Sequence, residues 1–399
     1  MLERWRNMGR NTRLMAIALL LWAVGEGLWI YLHPLYLDSL GASSEQIGFI
    51  LSLSGLARIF VMLPAGILAD RYGAKRMLVP GWGLGLIGVV IIAAAPNLKI
   101  VSIGYLIYGL SAMAIPVINL YLVQSIDADV TTTFRFRPQQ ILTYIHALFS
   151  MGIIISPFIG GLIADQTSLR AVFWVSAFWF GLSAIMVLKT GSYPVVHKTD
   201  TRFMNTFKSY SIFWQNRSLL TIYLILGLGF SATIMGFSFV SKLFHDSYGF
   251  STGQIGLLMS ILAFGSFVWN IWLGDRQPWQ SFIASAGLSG LAFILLILTN
   301  DWFLLALTCF ILGGWEVMRP IATGIVSEYV PSEQHGVAFG AVNTLHGVGL
   351  FIAPGVAGLL YSINYSYPFI LGTSIIPLLC IVVWWFLSSQ TQIRSEGVQ

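Results

Sequence analysis

Charge is scarce in this chain: only 9% of its 399 residues are Asp, Glu, Lys or Arg, against about 25% in soluble domains. That scarcity excludes a soluble enzyme. Cysteine is nearly absent as well. The two present, Cys309 and Cys380, both fall in apolar runs, so neither a disulfide framework nor a zinc site can be built from them. No Gly-rich phosphate loop ending in Lys-Ser or Lys-Thr occurs, which argues against ATP use. The His and Cys spacing fits no metal cluster and no nucleophile with its base, so the expectation is no catalytic residue, no metal and no cofactor. A cleavable leader is not expected either. Arg4, Arg6, Arg10 and Arg13 run straight into a full-length apolar stretch with no small-residue cleavage pattern.

What the chain has in abundance is apolar surface, at 56% of residues, with 40 Gly, 27 Phe and 14 Trp. Glycine lets helices approach closely and aromatic rings anchor at bilayer interfaces, so the solvent this sequence is built for is lipid. Apolar runs bounded by charges or Gly/Pro breaks predict twelve membrane helices, near 14–36, 47–69, 77–95, 100–125, 139–164, 171–188, 219–244, 255–273, 282–299, 302–327, 337–360 and 368–387. Sixteen of the 21 Lys and Arg fall on the side that holds the N-terminus, whereas Lys99, Arg170 and Lys242 fall on the other. The positive-inside rule therefore puts both termini in the cytoplasm, and the short loops suggest a prokaryotic plasma membrane. Basic charge spread over such loops needs no nucleic acid to explain it.

The expected organisation is a tail at 1–13, a six-helix half at 14–188, a cytoplasmic linker at 189–218, a second six-helix half at 219–387 and a tail at 388–399. An internal repeat supports it. Asp38-Ser-Leu-Gly-Ala-Ser-Ser-Glu-Gln-Ile-Gly48 recurs as Asp246-Ser-Tyr-Gly-Phe-Ser-Thr-Gly-Gln-Ile-Gly256, identical at seven of eleven positions. Asp70-Arg71 returns as Asp275-Arg276, Pro116 as Pro320 and Pro157 as Pro354. Two parallel six-helix repeats suit a transporter whose substrate meets the chain near the midplane, between the halves. One chain contains both halves, so a monomer suffices.

Gly66-Ile-Leu-Ala-Asp-Arg-Tyr-Gly-Ala-Lys-Arg76, between helices 2 and 3, resembles the loop motif of the major facilitator superfamily, although Ala74 stands where that family usually carries a basic residue. The resemblance implies an all-α membrane fold of twelve helices in two pseudo-symmetric halves. It also implies that Gly66, Asp70, Arg71, Gly73 and Lys75 act as a conformational latch, with Asp70 set against a helix N-terminus in the other half, that of helix 11. In helix 5, Gly152, Ser156, Pro157, Gly160 and Gly161 resemble the Gly/Pro motif of the family's antiporters, with Ser156 in place of a Gly. A packing kink is the competing reading there, because helix 11 repeats it around Pro354.

Four charges lie deep inside spans: Glu26, Arg58, Glu316 and Arg319. At about 1.5 Å per residue they sit roughly 18, 17, 17 and 12 Å from the N-terminal side, one layer near the midplane. Each costs at least about 2.5 kcal/mol there, so each needs a partner or a watery cavity. Glu316 and Arg319, three apart, share a helix face and can pair. Their repeat counterparts are Ala112 and Ile115, so the charges were added to one half alone. Glu26 and Glu316 are the candidate proton carriers. Arg58 and Arg319 either pair with them or receive an anionic group, His146 and His346 are possible relays, and Trp29, Tyr108 and Trp315, among other aromatics such as Tyr105 and Trp269, are candidate substrate contacts. The expected partners are a small organic solute, protons and lipid. The function expected is proton-coupled export of an amphipathic compound. A symporter or uniporter for an organic anion, or a membrane sensor or scaffold, stand as alternatives.

Overall fold

A computed structural model describes residues 5, 8–128, 138–193, 217–331 and 335–396. Most of the expected linker, parts of both tails and the side chain of Asp70 lie outside the described residues. The described chain is helical and contains twelve helices long and apolar enough to span a membrane. They are Arg10–Trp29 continued by His33–Ser39 (span 1), Ser44–Tyr72 (span 2), Ala74–Ala94 (span 3), Leu98–Leu110 continued by Ile115–Ala128 (span 4), Pro138–Gln166 (span 5) and Leu169–Leu188 (span 6). The second six are Arg217–Phe237 continued by Val240–Asp246 (span 7), Thr252–Gly274 (span 8), Pro278–Leu298 (span 9), Trp302–Leu312 continued by Met318–Ser327 (span 10), His335–Ile363 (span 11) and Tyr367–Glu396 (span 12).

Four spans read from hydropathy as continuous are interrupted, and the interruptions obey the repeat. Spans 1 and 7 break after Trp29 and Phe237. Spans 4 and 10 pass through 3-10 turns at Ser111–Ala114 and Gly313–Val317. Each 3-10 turn ends two or three residues before a proline, Pro116 or Pro320, which lacks a backbone donor and crowds the carbonyl four residues back, within the turn. The duplicated eleven-residue segment builds the same corner twice. Gly41 and Gly249 take φ of +83° and +67°, where a side chain would be strained. Ser43 and Ser251 then cap the next helix, with Gln46 and Gln254 closing reciprocal capping boxes.

Spans 1, 5 and 6 pack together, as do spans 7, 11 and 12. The seams between the halves are span 2 against span 11 and span 5 against span 8. Both seams are backbone-close. A methyl group added at Gly48 would lie 3.0 Å from Gly358 Cα, and one at Gly256 would lie 3.1 Å from Gly161 Cα. The Gly/Pro segments of spans 5 and 11 are therefore where the two halves touch. Gly152 and Gly160 instead receive span 1, at Ala23 and Leu28, and Ser156 Oγ donates to the Gly152 carbonyl at 2.6 Å.

Candidate transport cavity

Between the halves lies a cavity of about 2520 Å³. Its walls include the N-terminal-side ends of spans 2, 4, 5, 8, 10 and 11, at Arg71, Gln124, Thr143, Ile271, Thr323 and Phe339, so it opens toward that side. Among the described residues, spans 6, 9 and 12 contribute nothing to its lining and span 3 only Trp82.

The opposite side is closed by bonds across the halves. Lys242, only 6% exposed, places Nζ 2.5 Å from Asp38 Oδ1 and 3.1 Å from Asp246 Oδ2. Asp38 and Asp246 are the first residues of the two repeat segments, and Tyr361 Oη donates to Asp246 as well. Asp165, at the end of span 5, caps span 8. It accepts from Ser251 Oγ at 2.8 Å, Thr252 Oγ1 at 2.5 Å and the Gly253 N–H at 2.8 Å. This clasp is missed by a reading of intramembrane charge. Its one legible signal is the Asp shared by both copies of the repeat, with Lys242 one helical turn before the second.

All four midplane charges line the cavity, and the charges of Arg58, Glu316 and Glu26 all bear on Arg319. Glu26 accepts from Tyr108 Oη at 2.5 Å and from Trp22 Nε1 at 3.1 Å. Glu316 accepts from Ser266 Oγ at 2.8 Å and, across the halves, from Tyr31 Oη at 3.2 Å. The expected Glu316–Arg319 pair is not formed. Among the described residues, the ion pairs within 4.0 Å are those of Lys242 alone. Each Glu316 oxygen takes one hydroxyl donor, Arg319 lines the cavity without an ion pair, and Glu26 is likewise bound without Arg58.

His146 and His346 also line the cavity, His346 edge-on to Phe230 at 5.2 Å. Trp29, Tyr105, Tyr108 and Trp315 are in the wall, whereas Trp269 is not: its Nε1 donates to the Phe310 carbonyl, holding span 8 to span 10. Among the described residues no three His, Cys, Asp or Glu side chains converge as metal ligands.

The loop motif is divided. Gly73 adopts φ +94° at the turn between spans 2 and 3. Gly66 makes no close helix contact, since a Cβ there would meet nothing within 4 Å, and it borders the cavity. Lys75 Nζ reaches the carbonyls of Leu188 and Thr190, capping the negative end of span 6 within its own half. Arg71 leans over the Tyr72 ring at 5.4 Å.

A twelve-span bundle around a mainly apolar cavity that holds the four midplane charges, clasped on one side and open on the other, is the architecture of a solute transporter. The chain belongs to the Major Facilitator Superfamily, whose profile matches residues 14–282 and 261–397. It is 26% identical to Multidrug resistance protein 1 of Bacillus subtilis over 361 residues, 88% of this chain and 89% of that one. It is 25% identical to the Quinolone resistance protein NorA of Staphylococcus aureus over 362 residues, 86% and 88% of the two chains. Among solved structures, the nucleoside transporter NupG superposes with a TM-score of 0.76 at 15% identity, over 96% of this chain and 99% of that one. The human organic anion transporter MFSD10 gives 0.68 at 14% identity, over 94% and 99%. The chain is thus a multi-pass membrane transporter and not an enzyme.

Proposed function

We propose that this protein exports small amphipathic compounds in exchange for protons across a bacterial plasma membrane, with both termini in the cytoplasm. The observation that carries this is the pair of cavity carboxylates, Glu26 and Glu316. Each sits in a different half, is bound by neutral donors and makes no ion pair within 4.0 Å, which supports a role in exchanging a proton or meeting a cation. The names of the bacterial relatives, a multidrug and a quinolone resistance protein, support the substrate class and direction.

On this reading the open side is cytoplasmic. Residues 1–13, 189–218 and 388–399 are cytoplasmic tails and linker joining halves at 14–188 and 219–387. Alternating access is a rocking of those halves that opens the Lys242 clasp, the Asp70 motif acts on the cytoplasmic closure, and a single chain is the working unit. His146 and His346, which also line the cavity, are the relays on this reading. The test is reconstitution in proteoliposomes with an imposed pH gradient and a fluorescent lipophilic cation. Glu26→Gln should abolish uphill movement while the protein still folds. Uphill transport by that variant would move the coupling elsewhere, to Glu316 first. A second reading, symport or uniport of an organic anion, rests on Arg58 and Arg319 facing the cavity without an acidic partner. Uptake driven by inward proton flow would favour it.

A further inference from the structure

Five buried side-chain atoms find no hydrogen-bond partner among the described residues: Trp29 Nε1, His33 Nδ1, Arg58 Nε, Tyr105 Oη and Trp315 Nε1. All five belong to residues that line the central cavity. Elsewhere the fold is strict about such groups. Buried Ser52, Ser176 and Ser183 each donate to a backbone carbonyl. In a membrane, a polar atom left without a partner is costly, so a set of them confined to one cavity marks where something else is to be bound.

Three of the five form one cluster. The rings of Trp29, His33 and Tyr105 lie 5.9 to 6.2 Å apart, pair by pair. Trp29 and Tyr105 are each only 1% exposed. The break in span 1 makes the cluster: the turn at 30–32, closed by the Leu32 N–H on the Trp29 carbonyl, sets Trp29 and His33 on one side, where span 4 presents Tyr105. Tyr108, one helical turn further along span 4, holds Glu26 and meets Trp29 edge-on at 5.0 Å, so the cluster adjoins the carboxylate.

The repeat removes the architectural explanation. At the offset of 208 that relates the two corner segments, Trp29 and His33 correspond to Phe237 and Ser241; at the offset of 204 that relates Pro116 to Pro320, Tyr105 corresponds to Cys309. The second half builds the same broken helix with residues that leave no orphaned donor. The polar triad is an addition to the first half.

We propose that Trp29, His33 and Tyr105 form a subsite for the acceptor-bearing edge of a planar aromatic solute, such as a ring ketone or ring carboxylate. Trp29 and Tyr105 supply N–H and O–H donors, and His33 supplies a third in the tautomer with a proton on Nδ1. The surrounding ring faces exclude water and hold the flat body by stacking. A basic group on the same solute would point toward Glu26. This deepens the export reading and rests on it, since it names what the exported compounds must carry.

The test uses the full chain in detergent and two probes. Norfloxacin is a planar quinolone with a ketone and a carboxylate, whereas tetraphenylphosphonium is an aromatic cation with no hydrogen-bonding atom. Tyr105→Phe should weaken norfloxacin binding about tenfold and Tyr105→Phe with His33→Leu roughly a hundredfold, about one factor of ten for each lost bond. Tetraphenylphosphonium binding should change by less than about twofold. The melting temperature should not fall, because each change removes a buried polar atom that has no partner in the protein. Parallel weakening of both probes with a lowered melting temperature would show a structural role and overturn the subsite. Unchanged norfloxacin binding in both variants would overturn it too, leaving water as the partner of these donors. Wild-type protein that binds neither probe would sink the export reading itself, and the subsite with it.

Discussion

The two cavity carboxylates are held in different ways. Glu26 is bound entirely from within its own half. Trp22 donates to it and is itself fixed, stacked on Phe180 at 4.1 Å and edge-on to Trp82 at 5.3 Å. Trp82 in turn is tied through Ser183 to the Ala18 carbonyl. If the halves rock as proposed, this cage would travel as a unit and Glu26 would keep its partners. Glu316 takes one of its two hydrogen bonds from Tyr31, which belongs to the other half. That bond cannot survive separation of the halves at this level. A carboxylate whose partners depend on the state of the transporter is the one that can report the state to a proton, whereas a carboxylate in a fixed cage can serve the substrate or proton in both states. Neither is the other's repeat counterpart: Ile234 stands for Glu26 and Ala112 for Glu316. The asymmetry is therefore not inherited from the duplicated scaffold.

The largest effect that would break this comparison is loss of coupling. Glu26→Gln and Glu316→Gln should each abolish pH-gradient-driven accumulation in proteoliposomes, while substrate exchange without a gradient persists in at least the Glu316 variant. Intact accumulation by either variant removes that residue from the proton path. Next in size is the clasp. Lys242→Ala leaves two carboxylates facing each other and should shift the balance toward opening of the clasped side. We expect about 1–2 kcal/mol, below the full cost of breaking a buried pair because Asp38 and Asp246 remain about a third exposed to solvent. Electron paramagnetic distance measurements between labels at Ser39 and Ser247 should then show a longer population; an unchanged distribution would deny the clasp any role in closure.

Smaller, but aimed at the comparison itself, are the two tyrosines. Each loses one hydrogen bond to a carboxylate on mutation to Phe, about 1.5–3 kcal/mol for a charged acceptor. Tyr108→Phe should shift the pH dependence of substrate binding alike in protein trapped with either side open. Tyr31→Phe should shift it only in the state seen in this structure. Equal behaviour of the two variants would erase the distinction between a fixed and a state-dependent carboxylate. The smallest effect is expected at a motif glycine. Gly66→Ala should leave thermal stability within about 0.5 kcal/mol because nothing lies in the way of its Cβ, whereas Gly161→Ala drives a methyl against the backbone of Thr252 and Gly253 and should weaken the seam measurably.

Much of this protein was decided by the amino-acid sequence alone. The length and hydropathy of each apolar run dictate twelve spans, because a bilayer of fixed thickness leaves a backbone little choice but to form helix. The duplicated Asp-Ser-x-Gly segment specifies its corner chemistry twice over through a positive-φ glycine and a capping box, both local in the chain. Counting along the helices also placed Glu26, Arg58, Glu316 and Arg319 in one layer, because helical rise is constant. What only tertiary structure decided is who meets whom. Glu316 is served by Tyr31, 285 residues away, and not by Arg319 three residues on. Lys242, close in sequence to Asp246, also closes on Asp38 from the other half, and Lys75 caps span 6 within its own half. Periodicity assigns a residue to a face and a depth, but a hydrogen bond between spans depends on how two helices distant in the chain are packed and where their breaks fall. For the same reason the three unsatisfied rings of Trp29, His33 and Tyr105 became a cluster only once span 1 was broken and laid against span 4.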